Sequence, residues 1–454
     1  MYEKGAEVIR MIQYWLGKKE FTKGGKHYFS KHDGQAVRID DFVQAVFEVN
    51  NVKDYQQFMQ WYDAAGTPKI NVKETFTAAT GELEIELQQE IPQVRNHQAM
   101  HPFHIPIHIG FLDPAGKEVD CDGADQFRNS DQQMILHLKH SQQKWKFQFP
   151  QLKETRGPVI SYLRGFCAPV YFHGNQSRDQ RLHLALNDSD LFNRIWALQS
   201  LYIEDIIAHY QSGSNVYQLD SEIKNCLQRT LLNPQLDAAI KAGMMTMPPL
   251  SLILEKLTDV DVNKLANVLT LCEKEIGIAL TGELDELYRK LWEGDRKALD
   301  AKSISERALK DRCLALLATT ESRVAQKYVL QQFAHARHFN DEYTALEVAM
   351  NFDWNETLTM SEDFIRKHHE QYLTRLSWFG LVAQSNRKDT LTLVQQAAGS
   401  PYFDRKNPAA SLKLLRLYGE NFFQSYRNNC EGLLYVLDGI VQMDQFNSLA
   451  AARH

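Results

Sequence analysis

The chain of 454 residues has no run of about 18 apolar residues, and so no helix that would span a bilayer. It has no H-E-x-x-H, no G-x-S-x-G, no Walker A loop and no G-x-G-x-x-G, the short motifs that most often declare an active site. Positive charge is not in surplus. Lys and Arg number 51 against 57 Asp and Glu, and a net charge of -6 argues against nucleic acid or an anionic membrane as partner. Cysteine is scarce: six residues, scattered, with no C-x-x-C pair. Isolated cysteines of this kind behave as small apolar residues, whereas a disulfide framework would cluster them in a short secreted chain. The first residues lack the basic, apolar, small-residue order of a secretory leader. A reduced, cytoplasmic protein is expected.

What is present falls into three stretches. Residues 1–66 read as short-looped helices, beginning with "YEKGAEVIRMIQYWL", in which Val8, Ile9, Ile12, Trp15 and Leu16 recur at helical spacing. Asp40 or Asp41 is a plausible cap for "IDDFVQAVFEVN", and Gly66 and Pro68 mark a helix stop. The first helix has no evident partner, so residues 1–66 are expected to be less ordered or more aggregation-prone than in an intact, longer protein. Residues 67–168 change period. Eight of the thirteen prolines lie between Pro68 and Pro169, and "ELEIELQ", "HIPIHIGF" and "KWKFQFP" alternate every second residue. With Asp113-Pro114-Ala115-Gly116 as a turn, this predicts an antiparallel β-sandwich. Residues 169–454 are helix after helix with sparse proline and no fixed-period repeat, which predicts a large all-α, solenoid-like superhelical domain. The fold class is multidomain α+β.

Sixteen histidines call for a search for metal. "HHEQY", "HARH" and "HLKH" place no two histidines at i, i+4 on a helix. His97/His101 and His104/His108 have that spacing, but in a proline-broken loop and a strand. Along the strand, His104 and His108 point away from Ile105, Ile107 and Ile109, and solvent-facing histidines are expected. "KGGKHYF" reads as an interhelical turn, and Asp40-Asp41 as helix capping.

Taken in order, several phrases resemble the aminopeptidase N family of zinc aminopeptidases, of the bacterial cytosolic type. They are "YEKGAEVIRMI" at 2–12, "YFSKHDGQAVRIDDFVQAVFEVNNV" at 28–52 and "QWYDAAGTPKINVKETF" at 60–76, then "SYLRGFCAPV" at 161–170 and "NDSDLFNRIWALQSL" at 187–201. The resemblance implies that residues 1–66 are the helical tail of a thermolysin-like catalytic domain, followed by the sandwich and the helical domain. The family's H-E-x-x-H, its glutamate ligand and its G-A-M-E-N motif would all precede "YEKGAEV". The chain thus reads as a C-terminal fragment, with "NSLAAARH" stopping a few helices short of the family's end. By resemblance, Tyr2 is the catalytic tyrosine, whose phenol hydrogen-bonds the oxygen that becomes negative when zinc-activated water attacks the scissile carbonyl. Arg453 matches an arginine facing substrate, and Leu449 stands where bacterial members carry a polar residue. Zinc belongs to the intact enzyme and none is expected here. The implied partners are peptides with a free N-terminus and the missing N-terminal half, not nucleic acid or membrane, and the fragment alone should be inactive. The alternative is a stand-alone, non-enzymatic helical solenoid that binds peptides or proteins.

Overall fold

The computed structural model describes residues 2–92, 94, 101–293 and 298–452, Tyr2 by its backbone alone. Two compact units emerge, residues 1–201 and 202–454.

The first unit opens with four helices, α1 (Tyr2–Leu16), α2 (Lys18–His32), α3 (Ile39–Val49) and α4 (Gln56–Asp63). Seven strands follow: β1 (Lys69–Thr77), β2 (Glu82–Glu90), β3 (Ile105–Leu112), β4 (Met134–Leu138), β5 (Gln142–Gln148), β6 (Val159–Tyr162) and β7 (Tyr171–His173). They form a four-stranded sheet, β5-β2-β1-β7, and a three-stranded sheet, β4-β3-β6. Pairing is antiparallel except between β1 and β7, which run parallel, a departure from the purely antiparallel sandwich expected.

The two sheets differ in what covers their outer faces. On the larger sheet, Glu82, Glu84 and Glu86 meet Lys144 and Lys146 across β2 and β5 in a solvent-facing charge ladder. Leu83, Ile85, Leu87 and Phe147 turn inward. On the smaller sheet both faces are apolar or enclosed. Ile105, Ile107, Ile109 and Phe111 face the sandwich, and the opposite face lies beneath the N-terminal helices.

This overturns two expectations. Helix α1 does have a partner within the chain: Val8, Met11, Ile12 and Leu16 are buried in one core continuous with both sheets. Burying four such side chains contributes about 6–12 kcal/mol as an upper bound. The apolar face of α1 is therefore not orphaned, although Phe29 of α2 is 65% exposed. Nor is His104 solvated; it is 0% exposed, because the helices roof the face that alternation assigned to water.

The unit closes with α5 (Arg178–Asn187), capped by a Ser177–Gln180 box, and the start of α6 (Leu191–Ser212). The second unit is helical throughout its described residues. Its helices begin where short acids and hydroxyls accept backbone N–H groups, as at Asp220, Asp237, Asp261, Asp300 and Ser322. Neighbours in sequence pack as pairs, 281–293 on 301–319 and 323–334 on 339–349. Where helix 262–279 crosses 301–319, Gly277 is essential to the approach, since a Cβ there would lie 2.4 Å from the Leu316 carbonyl oxygen. Lys310, buried between helices, donates to Asp341 Oδ1 (2.5 Å) and Gln332 Oε1 (3.0 Å) and pairs with Asp311 (3.1 Å). Cys121, Cys167, Cys226, Cys272 and Cys313 are buried, as small core residues. Among the described residues no helix is long and apolar enough to cross a membrane.

Candidate functional site

Tyr2 stands in the first turn of α1, so whatever fixes that helix fixes its backbone. The apolar face is held by the core just described. The polar face is tied down separately. Arg10 donates through Nη1 to the Gly165 carbonyl (2.7 Å) and through Nη2 to that of Phe166 (2.6 Å), while its Nε is braced by Glu7 Oε2 (2.8 Å). Tyr14 donates to the same Gly165 oxygen (3.3 Å), and Lys4 to the Gly66 carbonyl. At the C-terminal end, Ser130 Oγ donates to Leu16 O (2.8 Å) and Asn129 Nδ2 to Tyr14 O (2.7 Å), satisfying carbonyls that a helix end leaves without partners.

The loop receiving Arg10 is itself unusual backbone. Leu163, Gly165 and Phe166 all have positive φ (54°, 62° and 53°), a conformation that costs a non-glycine residue about 1–2 kcal/mol. Arg164, within it, points into the interior and holds the loop in place. Its guanidinium reaches Asp188 Oδ1 (2.9 Å), Ser161 Oγ (3.0 Å) and Glu118 Oε1 (2.7 Å). Ser161 Oγ donates to Asp188 Oδ2 (2.5 Å), and Asn193 Nδ2 donates to Ser161 Oγ (2.7 Å) and the Tyr162 carbonyl (2.7 Å). Burial raises the Asp188 carboxyl above its ordinary value, and Arg164 opposes that rise. The stretches 161–170 and 187–201 are thus one hydrogen-bonded object. Gly110 lies directly under the guanidinium, where a Cβ would fall 2.0 Å from Cζ.

A second cluster sits on the roofed face of the smaller sheet. His104 Nε2 and His137 Nδ1 are 2.9 Å apart. The Trp15 ring lies 4.3 Å from His104 and 5.3 Å from His137, centroid to centroid. Burial pushes His104 down to about 2 and His137 to about 4, so both are neutral at physiological pH. His108, beside Tyr14, falls to about 4 through burial first and Arg164 second.

Zinc, implied by the resemblance, finds no fitting donor set among the described residues. Among the described residues no three or more His, Cys, Asp or Glu side chains are grouped to hold a metal ion. The one close histidine pair spends a nitrogen of each ring on the other. Of the residues predicted from sequence, Tyr2 is placed by its backbone, its side chain lying outside the described residues, as does Arg453 altogether. His97 also falls outside them. Leu449 is exposed in the short helix Ser448–Ala451. The cap expected at Asp40 or Asp41 falls instead on Arg38; both aspartates lie in the first turn of α3, where Asp41 accepts from the Arg38 N–H (2.8 Å), a helix-starting role and not a catalytic one. Sequence reasoning missed Arg10, Arg164 and Asp188. Their only signal was membership in the quoted phrases.

Comparison with known proteins gives three family matches in chain order: the peptidase family M1 domain over residues 1–62, an Ig-like domain of unknown function (DUF3458) over 66–175, and a domain of unknown function with ARM repeats (DUF3458_C) over 178–454. Aminopeptidase N of Escherichia coli is 28% identical over 457 residues, covering 100% of this chain and 51% of that protein. Aminopeptidase N of Caulobacter vibrioides is 26% identical over 457 residues with the same coverage. Among solved structures, Legionella pneumophila aminopeptidase A in complex with aspartic acid superposes with a TM-score of 0.85 at 24% identity, over 99% of this chain and 51% of that one. The chain spans about half the length of the curated relatives it matches.

Proposed function

We propose, from the premise that this chain belongs to the family of ARM-repeat domains of unknown function (DUF3458_C), that it works as the C-terminal portion of an aminopeptidase N-like enzyme. The reaction is removal of N-terminal residues from peptides. The observation that carries this reading is the unbroken order of the three family matches along one chain, with the aminopeptidase N relatives aligned over all of it.

In this reading the phenol of Tyr2 donates a hydrogen bond to the scissile carbonyl oxygen as negative charge builds on it, and a neutral donor there stabilises the oxyanion preferentially in the transition state. The α1 anchorage supports the assignment: a donor must be held by rigid elements if its hydrogen bond is to form without reorganisation. The helical domain caps the site and limits access to peptides, and Arg453 receives the downstream part of the substrate through its guanidinium fork. Zinc, where bound, supplies Lewis acidity. Among the described residues no donor set fits it, so its ligands are assigned outside the chain, and the chain alone is inactive. The scattered, mostly buried cysteines support a reduced, cytoplasmic setting.

The test is Tyr2→Phe in the longest open reading frame that contains this chain, assayed on an aminoacyl anilide. We expect kcat to fall by about 100- to 1000-fold with little change in KM. Unchanged kcat sinks the role of Tyr2. Chelator-sensitive turnover by the purified chain alone sinks the assignment of the metal ligands elsewhere. A reading frame that opens at Met1, with no H-E-x-x-H upstream, favours the binding solenoid instead.

A further inference from the structure

A cleft of about 380 Å³ opens on the first unit, next to the histidine pair. Its walls are the rings of Trp15, Trp145 and Phe127, and its polar lining includes His137, Gln143 and Arg128. None of the site assignments above uses it.

The protonation of the lining follows from one orphaned atom. His104 Nδ1 is buried with no hydrogen-bond partner. An N–H left in that position is far rarer in folded proteins than a bare acceptor, so the His104 proton sits on Nε2. Nε2 faces His137 Nδ1 at 2.9 Å, which makes Nδ1 the acceptor of that bond. The neutral His137 ring then carries its own proton on Nε2, the nitrogen turned away from His104, on a residue that lines the cleft. Gln143 is fixed the same way round. Its Oε1 accepts from the Lys139 N–H (3.1 Å), leaving its NH₂ group as donor. Charge on the lining is already matched, since Arg128 is paired with Asp120 and Asp125. A free anion or cation would gain little here. An uncharged acceptor attached to a flat apolar body would meet both donors and the aromatic walls at once.

We propose that this cleft is a binding site for a small aromatic carboxamide, its carbonyl oxygen accepting from His137 Nε2–H and Gln143 Nε2–H and its ring packed between Trp15 and Trp145. The test is titration of the full chain with benzamide, followed by NMR at the indole N–H groups of Trp15 and Trp145 and at the imidazole nitrogens. We expect saturable shifts at both indoles, with toluene, benzylamine and benzoate each binding about tenfold more weakly for want of the carbonyl or for their charge. Gln143→Ala should weaken benzamide by about three- to tenfold, and His137→Phe by a similar factor. Should His137→Phe fail to fold, the imidazole nitrogens of the unaltered chain remain decisive. Both rings must show Nε2–H tautomers, with His137 Nε2 shifting on binding. Equal affinity for toluene and benzamide, an Nδ1–H tautomer at His137, or no shift at either indole overturns the proposal.

Discussion

Gly110→Ala adds one methyl group and should do more damage than most deletions. The new Cβ would lie 2.0 Å from Arg164 Cζ, 2.2 Å from Nη1 and 2.5 Å from Nε, far inside contact distance. The strand cannot yield, because Ile109 and Phe111 on either side are 1% and 2% exposed in the sandwich core. The guanidinium is therefore what moves, and it is bonded to Asp188, Ser161 and Glu118. Asp188 is 0% exposed, so losing Arg164 leaves a carboxylate without its cation in the interior. Breaking such a pair costs about 3–5 kcal/mol, and if water follows the displaced side chain the loss falls towards about 1–3 kcal/mol. The measurement is urea dependence of amide exchange in β3 and β6, which reports the first unit alone and avoids treating a two-unit chain as one transition. Adding Asp188→Asn removes the stranded charge, so the double variant should lose less than the sum of the singles by at least about 1 kcal/mol. A loss under about 0.5 kcal/mol, or strict additivity with Asp188→Asn, refutes the argument.

The two units should respond to acid in opposite directions. His104, His108 and His137 have folded values depressed below 6.5, so the unfolded state takes up protons first and the first unit weakens as pH falls from about 6.5 towards 4, a loss that its burial-raised carboxyls Glu74 and Asp188 oppose in part. Asp311 and Glu347 in the second unit are raised by burial, so there the folded state binds the extra protons. That unit gains stability as pH falls from neutral towards the ordinary carboxylate range, and exchange rates resolved by unit between pH 7 and 5 should diverge accordingly. Parallel loss in both units contradicts the assignment. Lys310→Met should destabilise the second unit by about 3–5 kcal/mol by stranding Asp341 and Asp311, and adding Asp341→Leu should recover only the part owed to Asp341 in thermal denaturation. Gly5→Ala, in the interior of α1 with nothing within 4 Å of the added Cβ, should stabilise by about 0.5–1 kcal/mol, read as slower exchange along α1.

Local chemistry carried much of this fold into the sequence. Leu83, Ile85 and Leu87 alternate inward as their spacing requires, and "IDDFVQAVFEVN" forms its helix, though capped at Arg38 and not at Asp40 or Asp41. What could not be read is what lies over a face. Alternation groups His104 and His108 on one side of β3, but their burial depends on helices placed about 90 residues earlier in the chain. The parallel pairing of β7 with β1 is equally silent, since Tyr171–His173 is too short to show a period. Arg164 and Asp188 are 24 residues apart, with no spacing rule linking them. The left-handed backbone at Asn428, Asn429 and Cys430 carries no spacing pattern of its own. For the candidate site, periodicity placed the helix beneath Tyr2, while the residues that clamp it became visible only in three dimensions.

The clamp on α1 has a mechanical consequence. Arg10 grips the loop of the sandwich about 12 Å along the helix axis from Tyr2, eight residues at the α-helical rise. The helix is then a lever with its fulcrum in the Ig-like layer. A tilt of about 5° at the fulcrum sweeps the first turn through about 1 Å, a misplacement that can change a catalytic rate by about 100-fold. On the role proposed for Tyr2, substitutions deep in the sandwich would then be felt as changes in aim.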